Sequence, residues 1–479
     1  MSAAEVPVTA VPATSAAVQT VSALVARARR AQAAITRYSQ TELDELVTAA
    51  GWAIMEPARN RLLAEIAVRD TGLGNVADKI DKNHRKTLGL LRDLQGAVST
   101  GVLAEYPELG ITEIARPVGV VAAVVPSTNP GATPANNIIN ALKCGNAVIL
   151  SPSPKGYSTA AKLLEFIHAE FARIGAPVDL VQTLPHPVTK ESSGELMKQC
   201  DLVVVTGSQA NVRAGYSSGT PALGVGAGNV AVIVDDSADC EDAAPKIMRS
   251  KVFDNATSCS SENSVIIHAA VYERMLVALA AAGGALLTAA EKATLQQTMF
   301  PGGKLSPAVT AQSVARICAI AGLTRPELVN AKCLMVEETG AGKSAPFSGE
   351  KLSPVLAVYK ARDFDHAFAT LRAIYDYQGD GHSCGIHTTN SEHIRRLGME
   401  MTVCRVIVNQ AHAIANGGSF DNGLPFSLTM GCGTWGGNSF SENLNYRHFM
   451  NTTRIVRPIT PREPTVNDIF GAYRKKYGA

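Results

Sequence analysis

Cys259 stands in the run Phe253-Asp254-Asn255-Ala256-Thr257-Ser258-Cys259-Ser260-Ser261-Glu262. Its neighbours are small, hydroxyl-bearing or amide side chains, where a structural cysteine more usually has aliphatic ones. A thiol with open space around it can add to a carbonyl, and the oxyanion it creates needs hydrogen-bond donors nearby. The plainer alternative is a buried cysteine near a helix end. That alternative describes most of the other eight, at 144, 200, 240, 318, 333, 384, 404 and 432. No two of the nine form a Cys-x-x-Cys pair, so no zinc site or redox dithiol, and no metal at all, is expected. An odd, dispersed set fits free thiols in a reducing compartment.

Four further stretches could serve such a thiol. Val125-Pro126-Ser127-Thr128-Asn129-Pro130-Gly131 follows an aliphatic strand and precedes a helix. Ligands of parallel sheets bind at the carboxyl ends of strands, and Asn129 there could give its amide to an oxyanion. Asn-Pro and Pro-Gly are also plain turn formers. Thr206-Gly207-Ser208 leads from the strand 203–205 into a helix, whose free N–H groups suit a phosphate; Ser208 as an ordinary cap is the bland reading. Leu223-Gly224-Val225-Gly226-Ala227-Gly228-Asn229 looks like a dinucleotide fingerprint, but a strand follows it, so it reads as a loop lining a site. The glycines of 431–439 suggest backbone close to a ligand, or else a tight loop anchored by Trp435. Glu350 and His382 are single residues whose ordinary reading is surface or satisfied core.

These residues need a scaffold. A chain of 479 residues calls for two or three structural units. With 46% hydrophobic and 18% charged residues and a net charge of +2, it has the composition of a packed globular protein with no call for a nucleic-acid partner. The N-terminus lacks a signal-peptide pattern, and no apolar run reaches the roughly 20 residues of a membrane span, so a cytoplasmic location is expected. Residues 1–16 read as a loose tail. Residues 18–99 read as helical, in runs 18–38 and 43–69, followed by a hairpin at 103–116. Strands and helices then alternate to about 235, and again through a second unit at 236–430, with helices at 239–254 and 271–300. Residues 431–479 form a return segment with a strand at 454–459, expected to pair with the hairpin or with another subunit. The fold class is α/β: two doubly covered parallel-sheet domains, 17–235 and 236–430, plus a small bridging or oligomerisation element.

Taken in order, the segments 125–130, 223–229, 253–262 and 431–439, with Glu442-Asn443, resemble the aldehyde dehydrogenase superfamily, and more closely its CoA-acylating branch. The resemblance covers roughly residues 18–460. It implies that Cys259 is the nucleophile, with Asn129 and the Cys259 N–H as oxyanion hole and His382 assisting proton transfer from CoA. It places Pro126, Ser127, Thr206, Gly207, Ser208, Gly224 and Glu350 at a nicotinamide cofactor. It also implies that the water-activating glutamate of hydrolysing members falls at Gly224, which favours a thiol acceptor over water. At the adenosine ribose, Ser151, Ser153 and Lys155 with Pro154 lack an acid, which leans toward NADP, with NAD an alternative. The stretch 415–426, with 445–448, resembles members acting on small functionalised aldehydes, sulfoacetaldehyde first, with acetaldehyde and succinate semialdehyde as alternatives. His412, Asn416 and Arg447 are the candidates for an anionic substrate. A homodimer or homotetramer is expected. Rival readings are an acyl-phosphate-forming relative and a non-catalytic scaffold of the same fold.

Overall fold

The computed structural model describes residues 15–478, and most of the expected tail at 1–16 therefore lies outside the described residues. Four helices open the chain: Ala16–Ala34, Gln40–Met55, Pro57–Thr71 and Val76–Leu94. The expected single helix at 43–69 is two. Pro57 has no N–H to give and takes the first position of the new helix, while Glu56 accepts from Arg59 N as its cap. The last helix, Val76–Leu94, buries Lys79, Lys82 and Lys86 along one face.

Two parallel sheets follow. The first has five strands in the order Val181–Thr183, Ala147–Pro152, Val120–Val125, Leu202–Val205 and Ala222–Gly224. Its central strands are buried along their whole length, as helices on both faces require. The second has seven strands in the order Gly284–Leu286, Cys333–Glu337, Val355–Ala361, Glu262–His268, Val230–Val234, Cys384–His387 and Val406–Val408. Val230–Val234 thus belongs to the second sheet and not to the first unit ending at 235. Sequence order suggested the first, but its hydrogen bonds run to Glu262–His268 and Cys384–His387. The expected helix at 271–300 is broken into Tyr272–Ala281 and Ala289–Met299 by the strand Gly284–Leu286, entered at Gly283 with φ +111°.

A third, antiparallel sheet joins Gly101–Tyr106, Ile111–Pro117 and Met450–Val456. The return segment therefore pairs with the hairpin, although its strand begins four residues before the expected 454. Among the described residues no helix is long and apolar enough to cross a membrane, and no cluster of three or more His, Cys, Asp or Glu could hold a metal ion.

Candidate active site

A cleft of about 450 Å³ opens at the carboxyl ends of the first sheet's strands. Three strand exits line it: Val125 to Asn129, Thr206 to Gln209, and Val225 to Gly228. The second domain contributes Thr257, Ser258, Cys259, Glu350, Leu352, Gln378, Leu428 and Met430. Of the residues singled out from the sequence, the cleft brings together Cys259, Asn129, Pro126, Ser127, Ser153, Thr206, Gly207, Ser208 and Glu350.

The backbone leading to Cys259 is unusual. Asp254, Asn255 and Ala256 have φ of +52°, +51° and +60°, a left-handed run without a glycine. Such residues each cost of order 1–3 kcal/mol and persist where the surroundings over-determine them. Here they are over-determined. Asp254 N donates to Asp78 Oδ2 at 2.7 Å, and Asn255 Nδ2 donates to the carbonyls of Gly74 and Ala311 at 3.3 and 3.2 Å. The Asp254 carboxylate, fully buried, accepts from Lys79 Nζ at 3.0 Å and Lys82 Nζ at 2.5 Å. Burial alone would raise its pKa, but the two ammonium groups outweigh it and hold the carboxyl below its usual range.

Lys82 also donates to Asn129 Oδ1 at 2.8 Å and to Thr257 Oγ1 at 3.0 Å. With its oxygen engaged, the Asn129 amide has its NH₂ left to donate, and Asn129 and Cys259 line the same cleft. Cys259 itself is partly exposed to the cleft. Desolvation, then Glu350 and Cys432, push its thiol up to about 12. Its Sγ lies 3.3 Å from His382 Nε2. Burial, aided by Arg405, lowers His382 to about 3. Thiol and imidazole are therefore both neutral in the free site at neutral pH.

His382 begins a chain. Its Nδ1 is 2.8 Å from Ser383 Oγ, which is 2.9 Å from His412 Nε2. One hydroxyl proton lies between two rings, so their tautomers are linked. If Ser383 donates to His412, His382 Nδ1–H donates to Ser383, and His382 Nε2 is free to accept the thiol proton. Arg405, 7% exposed, donates to the carbonyls of His382 and Gly431 at 3.0 and 2.7 Å and to Asn443 Oδ1 at 3.1 Å. It ties the histidine to the 431–439 loop.

Other expected residues lie elsewhere. Gly224 ends a strand, and a side chain there would strike Val212 and Tyr216 at 2.7 and 2.9 Å rather than face the thiol. Gly228 is the residue that faces it: a Cβ at 228 would lie 2.5 Å from Cys259 Cβ. The stretch Val225 to Gly228 in the cleft wall still carries no carboxylate. Ser151 is buried, 2.8 Å from Ser193 Oγ, and does not line the cleft. Lys155 is exposed beside Ser153. Asn416 is buried and donates to Ser260 Oγ at 2.9 Å; His412 serves the histidine chain. Arg447 is exposed, 5.8 Å from the Tyr446 ring, on a separate surface groove. Trp435 is 54% exposed and does not anchor its loop. That loop is held instead by backbone bonds such as Gly433 N to Phe440 O at 2.9 Å.

A nicotinamide dinucleotide fits the groups present. The helix Gln209–Tyr216 points its N-terminus, with Thr206, Gly207 and Ser208, into the cleft. Glu350 stands across from it, pushed up to about 8 by burial against the pull of Lys251 and Lys351, and so protonated and able to donate at neutral pH. The lysines, Asp254, Ser383, Arg405 and Gly228 escaped sequence reasoning. Only the lysines left a signal, their spacing of three and four in a helical segment.

The aldehyde dehydrogenase family model matches residues 3–343. Over 97% of its length the chain is 62% identical to a sulfoacetaldehyde dehydrogenase (acylating) of Cupriavidus necator, covering 94% of that protein. It is 38% identical to a succinate-semialdehyde dehydrogenase (acetylating) of Clostridium kluyveri, over 90% of this chain and 94% of that one. Its fold superimposes on the crystal structure of an acetylating aldehyde dehydrogenase from Geobacillus thermoglucosidasius with a TM-score of 0.90 at 32% identity, covering 94% and 98% of the two chains. A partly exposed thiol in the cleft, 3.3 Å from an imidazole, and an Asn129 amide whose oxygen is held by Lys82 are thus features of a chain that belongs to the aldehyde dehydrogenase family, in its acylating branch.

Proposed function

We propose that the protein converts a short aldehyde and CoA to the acyl-CoA through a thioester on Cys259, with a nicotinamide cofactor as oxidant, and that the aldehyde is sulfoacetaldehyde. The observation that carries the reading is the placement of Cys259 in the cleft with Asn129, 3.3 Å from His382 Nε2, beside a stretch at 225–228 that offers no base for water. Cys259 Sγ adds to the carbonyl carbon as its proton passes to His382 Nε2. The Asn129 amide and the Cys259 N–H hold the oxyanion. A nicotinamide held in this cleft would supply the hydride acceptor that oxidises the carbon attached to Cys259 Sγ. His382 sheds that first proton to solvent, then takes the proton of the CoA thiol as it attacks the acyl group and returns it to Cys259 Sγ as that sulfur leaves. The 62%-identical relative supports sulfoacetaldehyde as substrate.

Thr206, Gly207 and Ser208 hold the cofactor pyrophosphate, and Pro126, Ser127 and Glu350 border the nicotinamide half. Ser153 and Lys155 accept a 2′-phosphate, which favours NADP over NAD. The chain self-associates as a homodimer or homotetramer. Met450–Val456 is the edge strand of its sheet, and the helix Val466–Tyr477 exposes Ile469, Phe470 and Tyr473. The test is an absorbance assay crossing sulfoacetaldehyde, acetaldehyde and succinate semialdehyde with both nicotinamides, with and without CoA. CoA-dependent NADPH formation, fastest with sulfoacetaldehyde, is expected. No reduction with any pair would leave the scaffold reading.

A further inference from the structure

The helix Val76–Leu94 turns Lys79, Lys82 and Lys86 inward, each 4–5% exposed. Lys79 and Lys82 share Asp254. Lys86 has no carboxylate. Its ammonium donates to the Gly417 carbonyl and lies 5.5 Å from the centre of the Phe426 ring. The groups that favour its charge from a distance are Cys259 and Asp93, and Asp93 already accepts from Arg92 and from Phe426 N, both at 2.7 Å. An ammonium has three donors. A buried cation without a counter-ion is costly, and burial, Arg85 and Lys82 all press against its charge. Among the described residues no carboxylate is paired with it, and the Gly417 carbonyl, the Phe426 ring and the more distant Cys259 and Asp93 offset only part of that cost, so its pKa lies well below the ordinary lysine value.

Its position suggests what does. A Cβ on Gly417 would lie 2.7 Å from Lys86 Nζ and 3.6 Å from Met430 Sδ. Met430 in turn lines the cleft beside Cys259. The ammonium therefore stands behind one flexible thioether at the wall of the reacting centre. Asn416, the other polar group there, spends its NH₂ on Ser260 and Met430 and leaves only a buried, unpartnered Oδ1. That atom is an acceptor and would repel an anion.

We propose that Lys86 is the counter-ion for the anionic tail of the substrate, a sulfonate one methylene from the reacting carbonyl, and that it selects charged over neutral short aldehydes. The inference rests on the function proposed above. A sulfonate is permanently charged and only accepts hydrogen bonds, which suits an ammonium with unused donors. Seated against Met430 and Gly417, it supplies the charge that Lys86 lacks. Arg447, on its surface groove, takes no part.

Two measurements test this. The first uses the wild-type enzyme: inhibition of acetaldehyde oxidation by ethanesulfonate, with dimethyl sulfone as a neutral control. Ethanesulfonate is expected to compete with acetaldehyde and the sulfone is not. If acetaldehyde turns over and ethanesulfonate does not compete, the anion site is overturned while the acylating reading stands. If no aldehyde turns over with CoA, the reading itself falls, and failure of ethanesulfonate to protect Cys259 from alkylation overturns the site independently. The second uses K86M and K86R. In K86M the ratio of kcat/KM for sulfoacetaldehyde to that for propionaldehyde is expected to fall about 100-fold, mainly through KM. K86R is expected to restore part of it. A ratio unchanged in K86M, with both substrates affected alike, would show a structural lysine and overturn the proposal.

Discussion

Lys82 donates to Asn129 Oδ1 at 2.8 Å, and that bond decides which way the Asn129 amide faces. Asn and Gln amides are otherwise free to present either end. With the oxygen taken, the NH₂ is the end left to donate, as the proposed oxyanion role requires. Asn129→Ala is expected to lower kcat by about 100- to 1,000-fold, the usual cost of an oxyanion donor, while cofactor affinity holds. Single-turnover kinetics should show slow hydride transfer. A loss below tenfold would move the oxyanion role to backbone alone.

The neutral Cys259–His382 pair makes a second prediction. With the thiol pushed to about 12 and the imidazole lowered to about 3, no thiolate–imidazolium pair forms in the free enzyme. Below its pKa the thiolate fraction rises about tenfold per pH unit. Iodoacetamide should therefore inactivate the free enzyme faster as pH rises from 7 to 10, with no plateau. A preformed ion pair would give a flat rate over that range. The comparison is made by following residual activity at each pH.

Ser383 is small, buried and placed between two histidine rings at 2.8 and 2.9 Å. Ser383→Ala removes the partner of His382 Nδ1 without touching Cys259. The ring then loses what fixes its tautomer, and the CoA-dependent step is expected to slow by about 100-fold. The pre-steady-state burst of reduced cofactor is expected to slow as well, because His382 also takes the proton of Cys259 when the enzyme is acylated. A burst that keeps its wild-type rate would confine His382 to the CoA-dependent step.

The elements and most of the cleft were legible because strand exits, small-residue runs and a cysteine among hydroxyls are local patterns. Val120–Val125 and Leu202–Val205 announce a buried parallel sheet in their own composition, and Asn129 and Thr206 follow at their ends. What was not legible depends on side-chain direction or on distant pairing. Gly224 and Gly228 are four residues apart in one glycine-rich loop, and only geometry tells which of them faces Cys259. Val230–Val234 could belong to either sheet until its neighbours are known. The Asp254 network joins residues about 175 positions apart. Gly228 allows a direct check. Gly228→Ala would bring a Cβ to 2.5 Å from both Cys259 Cβ and Cys259 O, so activity should fall by at least tenfold, with a drop in melting temperature from a strain of about 1–3 kcal/mol.

Asp254 carries the last prediction. It is the shared counter-ion of Lys79 and Lys82, and it fixes the left-handed turn that delivers Cys259. Asp254→Asn keeps the shape but leaves two buried ammonium groups facing each other. Removing one partner of a buried pair costs about 3–5 kcal/mol, so a clear drop in unfolding midpoint is expected. The pH dependence has a fixed sign. The Asp254 carboxyl is held below its ordinary value in the folded state. Its contribution is therefore complete above the unfolded pKa of about 3.9 and is lost as pH falls through the folded value. Chemical denaturation of wild type and variant should thus differ most at neutral pH and converge in acid. Equal stability at pH 7 would mean that the two lysines shed their protons instead, and that the turn before Cys259 is held by Asn255 and Asp78 alone.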